Sequence, residues 1–160
     1  MVVVIADAGL LIGLAKIQQL DLLKDLLTHV LITRAVADEC LGCSSSDAVL
    51  IRQAIDAGWL QCVADPVLQH GLSKSLGVGE QTSIELALSI SEKAVLVIDD
   101  ALARKQAIRK KLTIVGTAAV IFAAQRKGLI ADAEVLIDQL RAVGYRISAD
   151  VLEQLKRGWQ

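Results

Sequence analysis

Five carboxylates stand where chemistry would need them. Asp7 closes the apolar run VVVIA, and Asp99 with Asp100 closes the apolar run AVLVI. Glu39 and Glu80 lie in stretches with helical spacing. Acids gathered at the ends of buried strands are costly unless something neutralises them. A hard divalent cation such as Mg²⁺ or Mn²⁺ does this with oxygen ligands, so the first expectation is a metal-dependent site.

Each acid also has a plainer reading. Asp at a strand end is a favoured helix N-cap. Asp99 and Asp100 are adjacent and cannot both be routine caps. One of them faces the carboxyl edge of the sheet, with Asp100 slightly preferred, while the other caps or pairs with Arg104, four residues on. Glu80 follows Gly77-Val78-Gly79 in a first helical turn, where an acid stabilises the positive helix end by roughly 0.3–1 kcal/mol. Its position four before Ile84 also lets it lean toward the sheet. Glu85, one position further round, is expected in solvent. Glu39, bracketed by Val36 and Cys40, sits at the edge of a buried stripe and on its own reads as a surface acid. Thr117, after Gly116, is either a phosphate or metal-water contact or a helix N-cap.

The elements that must position these residues follow a simple order. Buried strands are expected at Val2 to Ala6, Val30 to Ile32, Ala94 to Ile98 and Leu112 to Val115, with a weaker fifth at Trp59 to Val63. Helical patterns run over Leu10 to Lys16, Leu20 to Leu27, Ala35 to Leu41, Asp47 to Ala57, Glu80 to Ser91 and Leu102 to Lys110. Two more, Thr117 to Lys127 and Ala133 to Val143, end at Gly128 and Gly144. A last short helix begins near Ser148. Strand then helix, repeated, predicts an α/β fold with a central, mostly parallel sheet of four to five strands. In such sheets, sites lie beyond the carboxyl ends of the strands.

Composition narrows the function. The 160 residues are 54% hydrophobic but only 2% aromatic, so the core must be aliphatic. A net charge of −1 gives no global basic field for nucleic-acid binding. Two Trp, one Tyr and one Phe are too few for a base-stacking platform. Any nucleic-acid contact must then be local. The dense basic set Arg104, Lys105, Arg109, Lys110 and Lys111 is either a solvated helix face or a phosphate-positioning patch, and Arg34 is a second candidate. The apolar N-terminus lacks a basic n-region and is interrupted by Asp7, which points to a cytoplasmic protein with no membrane segment. Cys40, Cys43 and Cys62 cannot all pair, as expected of a reducing compartment. Cys40-Leu-Gly-Cys43 has zinc-like spacing but no second pair to complete it. No proline- or glycine-rich linker divides the chain, so residues 1–160 read as one domain.

Five segments carry a more specific signal: ADAGLLIGLAKIQQLDLLKDLL at Ala6 to Leu27, ITRAVADEC at Ile32 to Cys40, GVGEQTSIELAL at Gly77 to Leu88, LVIDDALARKQA at Leu96 to Ala107, and IVGTAAVIFAAQRKGLI at Ile114 to Ile130. Their order and spacing resemble the PIN-domain family across nearly the whole chain, in particular the branch of VapC-like ribonuclease toxins with GE, DD and GT before successive helices. The resemblance implies a three-layer α/β/α domain and a site of Asp7, Glu39, Glu80 and one of Asp99 or Asp100. It implies Mg²⁺ or Mn²⁺ as cofactor, held by Asp7, Glu80 and Asp99 or Asp100, and hydrolysis of RNA phosphodiester bonds. Glu39 or Glu80 is then the candidate general base, and Thr117, Arg104 and Arg34 are candidate substrate contacts. A small antitoxin protein and a homodimer are the implied partners. Ala8 and Gly9 follow Asp7 where many members carry Ser or Thr. With the near-neutral charge, they motivate the alternative of a catalytically weak or inactive PIN-like binding or assembly module.

Overall fold

Val4 and Ala6 of the first strand, β1 (Val2–Ala6), face one aliphatic core, while Ile5 between them faces another. Period-two alternation with both faces apolar requires helices on both sides of the sheet. The computed structural model, which describes residues 2–90 and 93–157, meets that requirement. After β1 come α1 (Ala8–Lys16), α2 (Asp21–Leu26), β2 (Val30–Thr33), α3 (Arg34–Leu41), α4 (Ser46–Asp56) and β3 (Leu60–Val63). The chain continues through α5 (Val78–Ser89), β4 (Lys93–Val97), α6 (Ala101–Arg109), β5 (Thr113–Val115), α7 (Thr117–Arg126), α8 (Ala133–Ala142) and α9 (Ala149–Arg157).

The five strands form a sheet in the order β3-β2-β1-β4-β5, and every pairing is parallel. Chain progression reverses between β1 and β4, which places the topological switch point at the centre of the sheet. The register matters here: Ala6 lies opposite Val97, so Asp7 and the Ile98-Asp99-Asp100 segment leave the sheet at the same edge.

Three clusters hold the layers. One packs Leu10, Leu11 and Leu14 of α1, Val36 of α3 and Ile51 of α4 against Val4, Ala6, Ile32 and Val97. The opposite face packs Ile84 of α5 and Ala103 and Ala107 of α6 against Ile5, Leu96 and Ile98. A third, built from Ile121 and Phe122 of α7 with Ile137 and Leu140 of α8, extends the first layer. This is a three-layer α/β/α arrangement. Fully burying one Leu or Ile contributes about 1.5–3 kcal/mol, so the clusters dominate the stability of the sheet.

Differences from expectation lie at the edges. The weak fifth strand is real but narrower, Leu60–Val63, because at the sheet margin Gln61 and Cys62 stay exposed and dilute the apolar pattern. The helix expected over Glu80 to Ser91 starts two residues earlier, at Val78, and is described to Ser89; Ser91 itself lies outside the described residues. Among the described residues, no helix is long and apolar enough to cross a membrane.

Glu85 departs from what its helical position alone suggests. It is 2% exposed, not solvated. The loop after β3 folds over α5, and Glu85 accepts hydrogen bonds from the Gln69 and His70 backbone N–H groups at 2.9 and 3.0 Å and contacts His70 Nδ1 at 2.5 Å. Burial raises the Glu85 pKa, but the His70 ring and the two backbone donors outweigh it and leave it below the usual carboxylate value. A depressed folded pKa contributes stability that is present above the unfolded value and lost as pH falls through the folded one. Glu85→Gln, which removes charge-assisted bonds of about 1.5–3 kcal/mol, is therefore expected to lower stability at pH 7 by roughly 2 kcal/mol, read from a shift of the urea midpoint. The gap to wild type should narrow below pH 4.5, the unfolded value. A gap that stays constant down to pH 3 would show that the carboxylate charge is not what holds the loop.

Candidate active site

Asp7 directly follows β1 and is the N-cap of α1. Its extended backbone leads into the helix, and its Oδ1 accepts the Ala8 N–H at 2.8 Å. The plain capping role and the site role thus coexist in one residue. Burial, opposed by the Ala8 N–H and reinforced by the charges of Glu80, Glu39 and Asp99, pushes the Asp7 pKa from 3.8 up to about 7. Three of the other four predicted acids thus reach Asp7 electrostatically, and the fourth, Asp100, joins through Glu80.

Glu80 sits at the third position of α5, where its Oε1 accepts the Gly77 N–H at 3.1 Å. Glycine has no side chain to return the bond, so this is one half of a capping box. The Glu80 carboxyl also meets that of Asp100. Burial first, then the Asp100 and Glu39 charges and the Asp100 contact, raise the Glu80 pKa despite the Gly77 donor. Like charges this close favour a shared proton or a bound cation.

Glu39 is exposed at the C-terminal half of α3, with its carboxylate against Gly79: a Cβ placed on that glycine would lie 3.3 Å from Glu39 Oε1. The two helices are tied at their base. Thr33 Oγ1 caps α3 through Val36 N at 3.2 Å and bonds Thr82 Oγ1 of α5 at 2.8 Å, both hydroxyls being buried. That tie brings Glu39 and Glu80 to the same end of the sheet.

The Asp pair divides its labour. Asp100 caps α6, with Oδ2 accepting Ala103 N–H at 2.9 Å. Asp99 instead turns toward α7: Oδ1 accepts the Thr117 N–H at 3.1 Å, and Oδ2 accepts the Thr117 hydroxyl at 2.5 Å and the Tyr145 hydroxyl. Gly116 makes this approach possible, since a Cβ there would fall 2.8 Å from Asp99 Oδ1. Thr117 is fully buried and is not the cap of α7; Gly116 is. The threonine satisfies the first turn indirectly, by holding an acid from the neighbouring strand over it.

Arg104 does not pair with Asp100. Its Nη1 donates to the Ile98 carbonyl at 2.8 Å, and Arg104 and Asp99 both line a cleft of about 780 Å³. Arg141, Tyr145, Arg146 and Ser148 line the same cleft. No sequence signal marks these four as functional, because they belong to α8 and the segment after it, which folds back over β5 and α7. Arg34 pairs with Asp38 at 3.1 Å on an exposed helix face, both side chains about 70% exposed, a contact worth little in water. Cys43 bonds Ser45 at 3.1 Å, and all three cysteines are free, with Cys40 buried.

Together the acids form an all-oxygen donor set of the kind hard divalent cations take. Among the described residues, however, no three converge closely enough to be a ready-made metal-binding group.

A family model described as a PIN domain matches residues 3–160. No curated protein and no solved structure matches. The matched segment takes in all five acids and both helices that bring Glu39 and Glu80 to the switch point: the chain belongs to the PIN-domain family.

Proposed function

We propose that the protein is a metal-dependent endoribonuclease, of the toxin branch that the GE, DD and GT segments resemble. PIN domains are nuclease folds, and membership is the general ground for hydrolysis of phosphodiester bonds. The observation that carries the reading for this chain is the gathering of Asp7, Glu39, Glu80, Asp99 and Asp100 at one edge of the sheet, where burial and the charges of Glu80, Glu39 and Asp99 raise the Asp7 pKa. Such crowding is tolerable with a proton in place and more favourable with a divalent cation in its stead.

The donor chemistry fits Mg²⁺ or Mn²⁺, with Asp7, Glu80 and Asp99 or Asp100 as the holding residues and a modest convergence of side chains on binding. When bound, such an ion lowers the pKa of a water molecule and stabilises charge on phosphate oxygens. The protein's own groups do the rest. Glu39, which stands outside the holding set, or Glu80 takes the proton of the attacking water. Arg104, with Arg141 and Arg146 that line the same cleft, positions phosphates of a single strand. By family analogy the products carry a 5′-phosphate and a 3′-hydroxyl. A small antitoxin and a second copy of the chain are the proposed partners, and apolar Val78, 62% exposed two residues before Glu80, offers surface near the acids for either.

Purified protein is expected to cut single-stranded RNA with Mn²⁺, to stop with EDTA, and to lose cutting in Asp7→Asn. An equal trace of cleavage from wild type and Asp7→Asn would identify the activity as contamination and leave a non-catalytic binding module as the reading.

A further inference from the structure

The only tyrosine of the chain ends on an acid of the site. Helix α8 closes in a Schellman turn: Gly144 takes a positive φ of 96°, its N–H bonds Arg141 O at 3.0 Å, and the Tyr145 N–H bonds Leu140 O at 2.9 Å. This turn throws the Tyr145 ring back onto α1, where Gly9 and Gly13 lie one turn apart. A Cβ at Gly13 would sit 3.0 Å from ring Cδ2, and one at Gly9 would sit 3.4 Å from the phenol oxygen. Glycine inside a helix costs about 1 kcal/mol relative to alanine, so two of them facing one ring make a seat at the expense of α1.

What the seat achieves is visible at Asp99. The phenol and the Thr117 hydroxyl both donate to Oδ2 and lie 2.8 Å apart, while the Thr117 N–H donates to Oδ1. A carboxylate has about four lone-pair directions. Oδ2 is therefore saturated, and Oδ1 keeps one direction open.

We infer that Tyr145 is a positioning residue of the site: its hydroxyl, delivered by the α8 turn and seated on Gly9 and Gly13, fixes the Asp99 carboxylate so that Oδ1 is the oxygen offered to a divalent cation. The inference rests on the metal reading above. Partners behind a metal ligand are typically worth 10–100-fold in metal affinity.

Titration calorimetry with MnCl₂, alongside thermal melts, tests it. Tyr145→Phe keeps the ring in its seat and loses only the hydroxyl. It is expected to bind Mn²⁺ roughly 10–100-fold more weakly while remaining folded, with the metal-free melting temperature lowered by only the few degrees that one lost hydrogen bond to a carboxylate accounts for, a split that a merely space-filling ring would not produce. If Tyr145→Phe does not fold, Gly13→Ala, which displaces the ring with its hydroxyl intact, is expected to show the same loss and decides the question in its place. Uptake by wild type with the folded variant within twofold of it overturns the inference and leaves the metal reading standing. No uptake by wild type at millimolar Mn²⁺ overturns the metal reading, and this inference with it.

Discussion

Asp7→Asn should melt higher than wild type at pH 8 while losing its cleavage of RNA. The two effects have one cause. Between 3.8 and about 7 the folded protein holds a proton on Asp7 that the unfolded chain has released. The folded state binds more protons across that window, so stability falls as pH rises through it, and the loss is complete above pH 7. Asparagine removes the charge but remains a good N-cap for α1, so the Ala8 N–H is still satisfied. A gain of about 2 kcal/mol at pH 8 is expected, within the range by which relieving a strained functional site stabilises proteins. It should shrink steadily as pH is lowered toward 4. Cleavage should fall by about 100-fold or more, since a metal-holding group supplies several kcal/mol to the transition state and each 1.36 kcal/mol is tenfold. Differential scanning calorimetry across pH, paired with an RNA cleavage assay, checks both. A variant that melts lower than wild type at pH 8 would mean Asp7 is a stabilising cap and not a crowded site acid.

The same tension explains which parts of the molecule are legible in its sequence. Asp7 and Asp99 follow buried strands directly, and the alternation of strands and helices makes a parallel sheet whose carboxyl edge gathers them, so that edge is readable. β3 is faint because an edge strand has one covered face and carries exposed Gln61 and Cys62. Glu85 escapes helical spacing, which reports the side of α5 that meets the sheet, whereas a loop from elsewhere covers its flank. Arg104 and Asp100, four apart, suggest an ion pair, yet the arginine reaches the Ile98 carbonyl instead. Tyr145 gives no local signal at all: 46 residues separate it from Asp99, and only the Schellman turn and the α1 glycines unite them. Glycines at 9 and 13, one helical turn apart, are the available hint. They mark a close approach by some other element without naming it.

If a cation replaces the proton on Asp7, metal affinity must follow that proton. Ligating carboxylates bind in the ionised form, so uptake below the Asp7 pKa expels a proton. Mn²⁺ affinity is therefore expected to weaken about tenfold for each pH unit below about 7 and to level off above it, where Asp7 is already ionised. The raised Glu80 pKa steepens the dependence further at lower pH, if both acids are engaged. Calorimetry across this range, in two buffers of different ionisation enthalpy, should show about one proton released per ion near pH 6 and almost none at pH 8.5. Binding should also raise stability by about 2.7 kcal/mol when the ion is present at 100 times its dissociation constant, because only the folded chain gathers the acids. At a fixed ion concentration the gain should oppose the pH trend of the metal-free protein, being largest above pH 7, where the affinity is highest and the metal-free form has lost the Asp7 contribution. Affinity that is constant from pH 5 to 8 would place the ion away from Asp7 and detach the crowded carboxylates from the proposed catalysis.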